Sequence, residues 1–145
     1  MSTLITLVII LVAAILVYAV IMSQSAKPSA KRTKRGHVDR EMVSGRWNTI
    51  KLTSETGATG LKSSVGEADK LLDYVMRQMG FGGETMAERL RQGQKSFSRP
   101  QYEAIWQAHK LRNSLAHDIS VDLVPSQAKE ALRTYERALK DLGAL

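Results

Sequence analysis

The chain has 145 residues, with 21 Lys and Arg against 14 Asp and Glu, for a formal charge of +7. That length bounds it to one compact domain plus an accessory segment. It contains no cysteine, which excludes disulfides, thiolate zinc sites and a cysteine nucleophile.

The charge is unevenly placed. Residues 23–40 hold Lys27, Lys31, Arg32, Lys34, Arg35 and Arg40 against the single acid Asp39, and residues 41–145 carry a net charge of only +2. The basicity belongs to one short stretch, so high overall charge is not by itself a nucleic-acid signal.

Leu4 to Met22 is a run of nineteen residues without a charge, rich in Leu, Ile and Val. As a helix it is about 28 Å long, close to the roughly 30 Å hydrocarbon core of a bilayer. A single transmembrane helix is therefore expected over residues 4–22, after a short tail at 1–3. The competing reading, a cleaved signal peptide, needs a basic start and a shorter apolar run, and Met1-Ser2-Thr3 carries no basic side chain. Pro28, Ser29 and Gly36 mark residues 23–37 as an irregular basic tether. By the positive-inside rule, the tail lies outside the cell membrane and the remaining domain on its cytoplasmic face. Lys27, Lys31, Arg32, Lys34 and Arg35 also suit contact with anionic headgroups of the bilayer, at about 1 kcal/mol per basic residue. Setting topology alone accounts for them equally well.

Residues 38–145 carry no strand pattern and predict an all-α domain of four to five helices. Asp39 is placed to cap a helix to about Thr53, with Val43, Trp47 and Ile50 on one face. Gly57-Ala58-Thr59-Gly60 breaks it. The same glycines, with Lys62 and Ser63, look superficially like a phosphate loop but lack the Gly-Lys adjacency and a preceding strand. Leu61, Val65, Ala68, Leu72, Val75 and Met79 then step at helical spacing, and Lys62, Glu67, Asp69, Asp73 and Arg77 form the opposite, polar face. After Gly80-Phe81-Gly82-Gly83, Thr85-Met86-Ala87-Glu88 reads as a capping box opening a short third helix with Met86 and Leu90 inward. Ser98-Arg99-Pro100 opens a fourth helix. Pro125-Ser126 opens the last, with Ala128, Ala131, Leu132, Tyr135, Ala138, Leu139 and Leu142 on one stripe and Gly143 as its stop. Short connections favour antiparallel neighbours in an up-and-down bundle.

The fourth helix has three faces. Glu103, Gln107, Lys110, Ser114 and Asp118 form a narrow polar arc, and Ala104, Ala108, Leu111 and Leu115 a small apolar one. The remaining arc holds Tyr102, Ile105, Trp106, His109, Arg112, Asn113, Ala116 and His117. A surface helix ordinarily needs one apolar stripe, so this one is either central in the bundle or meets a partner. His109, Asn113 and His117 share a ridge at i, i+4, i+8, flanked by Arg112. An arginine fork suits phosphate, and imidazole moves protons near neutrality. The histidine spacing does not suit a metal ion, and no metal or other cofactor is implied.

Leu111-Arg112-Asn113-Ser114-Leu115-Ala116-His117 resembles the signature of the HEPN superfamily: an arginine, a following polar residue, and a histidine after a short spacer near the end of a long helix. The wider chain resembles single-pass bacterial membrane proteins that carry such a domain. The resemblance implies a bundle of about four helices, and in many members a metal-independent endoribonuclease or RNA-binding module that dimerises to share one cleft. Carried over, it implies Arg112 holding the scissile phosphate, Asn113 orienting it and His117 exchanging the proton. His109, Trp106 and Tyr102 support that site by helix geometry alone. The alternative is a non-enzymatic, membrane-tethered scaffold or interaction protein, with its own protein partner, in which the motif is a buried polar cluster.

Overall fold

The computed structural model describes residue 15 and residues 36–117 and 122–145 of the chain. The expected transmembrane helix and the tether's Lys27, Lys31, Arg32, Lys34 and Arg35 lie outside the described residues, apart from Ile15, which is helical. Among the described residues no helix is long and apolar enough to cross a membrane.

The described residues from 36 onward form an all-helical bundle, with no strand among them. Its elements are α1 (Arg40–Ser54), α2 (Ala58–Gln78), α3 (Met86–Gln92), a 3-10 turn (Gln94–Ser96), α4 (Arg99–His117) and α5 (Pro125–Asp141). Side chains cap the starts of α1 and α3. The Asp39 carboxylate accepts from the Met42 amide at 3.0 Å, giving one orphan donor of the first turn a partner. Thr85 and Glu88 complete the expected capping box on α3. The two backbone amides held by the Glu88 carboxylate, Glu84 first and Thr85 second, keep its pKa below the usual carboxylate value.

The helix break after α1 is shorter than the glycines suggest. Gly57 takes φ +99°, a conformation that side chains avoid, and α2 begins at once with Ala58. Gly60 lies inside α2 rather than in the break. A Cβ there would collide with the Thr53 carbonyl oxygen and Thr56 Oγ1, so the bare Cα lets the first turn of α2 pass against the end of α1. At the other end of the chain Gly143, at φ +67°, stops α5 as expected.

α2 is the central helix and packs against α1, α3, α4 and α5. This settles one choice left by the sequence: α4 is not central, since it lies mainly on α5 and secondarily on α2. Val65, Leu72, Val75 and Met76 of α2 meet Val43, Ile105, Tyr135 and Leu139 in the buried core. Polar ties cross the layers. Ser64 Oγ donates to the Ile50 carbonyl at 3.0 Å, and Gln101 Nε2 to the Thr134 carbonyl at 3.0 Å. One of the five residues assigned to the polar face of α2, Asp69, is misplaced by that assignment. Asp69 is buried and Asp73 only half-exposed, because each is met by a cation or donor from another helix.

Candidate functional site

Asp69 is the hub of the candidate site. It falls in register with Val65, Leu72 and Met76, all buried, at the spacing of the inward stripe of α2. An acid there is under strong pressure to be paired. His109 Nδ1 lies 2.8 Å from Asp69 Oδ1. The Tyr135 hydroxyl donates to the same oxygen at 2.9 Å. Arg112 Nε stands 3.6 Å from Asp69 Oδ2. Three helices are thus joined through one carboxylate that is 3% exposed. Burial, and next the charge of Asp69, push the Tyr135 phenol well above its ordinary pKa, so it remains a neutral donor.

The network continues along α4. Asn113 Nδ2 lies 3.2 Å from His109 Nε2, and Arg112 Nη1 donates to Asn113 Oδ1 at 2.9 Å. With Nδ1 facing a carboxylate and Nε2 facing an amide, the His109 ring is fixed in orientation. Trp106 stands edge-on to it, with ring centroids 6.0 Å apart, and Tyr102 stands edge-on to Trp106 at 6.2 Å. The Arg91 guanidinium of α3 covers the Trp106 ring at 5.6 Å, a cation–π contact.

The expected site residues therefore divide. Arg112, Asn113 and His109 are bonded into one network, and Trp106 and Tyr102 back it. His109 is buried and spends both ring nitrogens inside the subunit, so on the expected ridge it is an internal strut. Asn113 is half-buried and engaged on both ends of its amide. Arg112 keeps 27% of its side chain exposed. His117, the last residue of α4, is exposed, and among the described residues it makes no hydrogen bond to Arg112 or Asn113. The expected polar arc of α4 holds for Glu103, Gln107, Lys110 and Ser114, which are all exposed; Asp118 lies outside the described residues.

Arg112 opens onto a groove of about 270 Å³ between α2 and α4, whose other polar lining is Lys62, Ser63, Glu67 and Lys70. Chemically, this is a guanidinium fixed from behind, with its free edge turned to a groove carrying two further cations. Asp69 and the groove lysines went unassigned by the sequence reading. The available signal for Asp69 was a single acid standing in the phase of Val65, Leu72 and Met76. No family model, curated protein or solved structure matches this chain.

Proposed function

We propose that this chain is a membrane-anchored, HEPN-like bundle directed at RNA, acting as a metal-independent endoribonuclease. Its anchor is the apolar run at 4–22, its domain lies on the cytoplasmic side, and its basic tether runs beside the bilayer. The observation that carries the reading is the state of Arg112. Its guanidinium is steadied by Asn113 at 2.9 Å and by Asp69 at 3.6 Å, yet remains 27% exposed on an open groove. A pre-oriented arginine fork is what phosphate recognition requires.

In the reaction, the ribose 2′-oxygen attacks phosphorus and the bond from phosphorus to the 5′-oxygen breaks. A 2′,3′-cyclic phosphate and a 5′-hydroxyl result. One proton leaves the 2′-hydroxyl and one arrives on the departing oxygen, and the His117 imidazole exchanges it. A homodimer that brought two α4 ends together would supply a second imidazole for the second transfer. Arg112 holds the phosphate. Asn113 acts through Arg112, and His109, Asp69 and Tyr135 hold the helix that carries both.

The test uses the full chain in detergent micelles with EDTA and a labelled single-stranded RNA. The wild type cleaves to cyclic-phosphate ends, and His117→Ala abolishes cleavage with its helical signal and melting temperature unchanged. Arg112→Ala likewise loses activity. Equal cleavage by wild type and His117→Ala would trace to a contaminating nuclease and end the proposal.

A second reading, a membrane-tethered scaffold with a structural motif, is favoured by one specific observation. Asp69, His109 and Asn113 satisfy one another within a single subunit. Under that reading Arg112→Ala lowers stability and no variant changes RNA.

A further inference from the structure

We infer that the groove between α2 and α4 is a track for the phosphodiester backbone of single-stranded RNA, gripped by Lys62, Lys70 and Arg112 and approached closely at Gly66. The inference rests on the RNA-directed reading of Arg112 and names what that site takes and how.

Lys62, Gly66 and Lys70 are spaced i, i+4, i+8 on α2 and all line the groove opposite Arg112. The two lysines are about 12 Å apart along the helix axis. Extended along the groove, the two ammonium groups and Arg112 suit successive phosphates of one chain. Glu67 also lines the groove and pairs with Lys70 at 2.8 Å, but both side chains are largely exposed. An exposed pair of this kind contributes at most about 1 kcal/mol, so a phosphate displaces it readily. None of the lining residues is aromatic. The groove offers no stacking platform for bases, and recognition through the backbone follows.

Gly66 is the observation that points beyond the monomer. It sits in the interior of the longest described helix, where glycine costs about 1 kcal/mol relative to alanine. Its φ is not positive, and a Cβ built on it would meet nothing within 4 Å. Neither backbone conformation nor internal packing requires glycine at this place. A ligand lying against the helix backbone in the groove would, and the groove is what sets Gly66 apart from Gly45. Gly45 of α1 is equally open but lines none of the grooves of the bundle described above, and it serves as a matched control. A flat bilayer surface would touch the lysine tips without reaching the floor at Gly66, which favours a strand over a membrane.

The experiment measures anisotropy of a fluorescein-labelled 2′-O-methyl oligouridylate, which cannot be cleaved, on the full chain in detergent micelles. Three phosphate contacts give a slope of about −2 in log K against log salt, from roughly −0.7 per phosphate on a single strand. Lys62→Ala and Lys70→Ala each weaken binding and each take about 0.7 off that slope. Gly66→Ala raises the melting temperature yet weakens binding several-fold, while Gly45→Ala raises the melting temperature and leaves binding alone. Unchanged affinity in Gly66→Ala, or an unchanged slope in both lysine variants, overturns the track even if His117-dependent cleavage stands. Absence of any oligonucleotide binding overturns the RNA reading together with it. Displacement of the oligonucleotide by phosphatidylglycerol vesicles equally from wild type and Gly66→Ala, with vesicle binding lost in Lys62→Ala and Lys70→Ala, would assign the groove to a membrane and overturn the proposal.

Discussion

Asp69 on α2 and His109 on α4 face each other across the bundle with Oδ1 and Nδ1 2.8 Å apart, both side chains at most 10% exposed. Because the same oxygen also accepts from Tyr135, the carboxylate ties three helices. Removing it leaves His109 Nδ1 and the Tyr135 hydroxyl, both buried, without their acceptor, and losing one member of a buried pair is strongly destabilising. Asp69→Ala is expected to lower unfolding free energy by about 3–5 kcal/mol in urea titrations. Asp69→Asn retains an acceptor oxygen and loses less. A loss under about 1 kcal/mol in Asp69→Ala would mean that the network does not hold the bundle together.

Tyr135 gives a pH signature of its own. Its ordinary pKa of 10.0 is pushed up by burial and by the neighbouring Asp69 charge. Above about pH 10 the unfolded chain releases the phenolic proton and the folded chain keeps it. The unfolded state then binds fewer protons, so stability falls as pH rises, by about 1.4 kcal/mol per pH unit for this one group. Below that pH both states hold the proton and the group contributes no slope. The stability advantage of wild type over Tyr135→Phe should be constant to about pH 9 and shrink above pH 10. Parallel curves throughout would show the phenol ionising freely in the folded protein.

The short helix α3 depends on one buried cation. Arg89 donates through Nε and Nη2 to the two oxygens of Asp73 at 2.6 and 3.0 Å, and through Nη2 to the Glu84 carbonyl at 3.2 Å. A bidentate pair of this geometry fixes both position and angle. Arg89→Ala is expected to cost about 3 kcal/mol, because it strands Asp73 and frees the loop before α3. Hydrogen exchange should then accelerate in residues 84–92 more than in α5; uniform acceleration would count against a local tether.

Gly60 and Gly66 sit six residues apart in one helix and should respond oppositely to alanine. At Gly60 the new methyl meets the Thr53 carbonyl and Thr56, and overpacking of this kind costs about 1–3 kcal/mol. Gly66 faces open space, so alanine there gains about 1 kcal/mol of helix propensity. Thermal melts of the two variants on either side of wild type check the pair. A stabilised Gly60→Ala would mean that the corner between α1 and α2 is looser than described.

What the sequence made legible follows from how local each cause is. The capping box of Thr85 and Glu88, the stop at Gly143 and the stripe of Ala128, Ala131, Tyr135 and Ala138 are all set within one or two helical turns. Each is found where the spacing puts it. Asp69 is in phase with Val65, Leu72 and Met76, but its charge groups it with Glu67 and Asp73, and packing against His109 and Tyr135 shows it as interior. The Arg89–Asp73 pair spans sixteen residues and leaves no periodic trace. The ridge of His109, Asn113 and His117 was correctly aligned on one helix, but alignment does not set depth. The neighbouring helices sink His109 and leave His117 in solvent.

The two ends of the bundle have different neighbours. Gly36 lies against Gln78, and His37, Val38 and Arg40 share a recess with Met79, Leu142 and Gly143, whereas Arg112 stands beside Lys62 and Gly66 near the start of α2. The two places are separated by roughly 20 Å along α2. The residues that meet segment 36–40 are Gln78 and Met79 at the end of α2 and Leu142 and Gly143 after α5, and none of Asp69, His109 and Arg112 is among them. Under the proposed anchoring, a change in the length of the linker before residue 36 would act on the end of the bundle remote from Arg112.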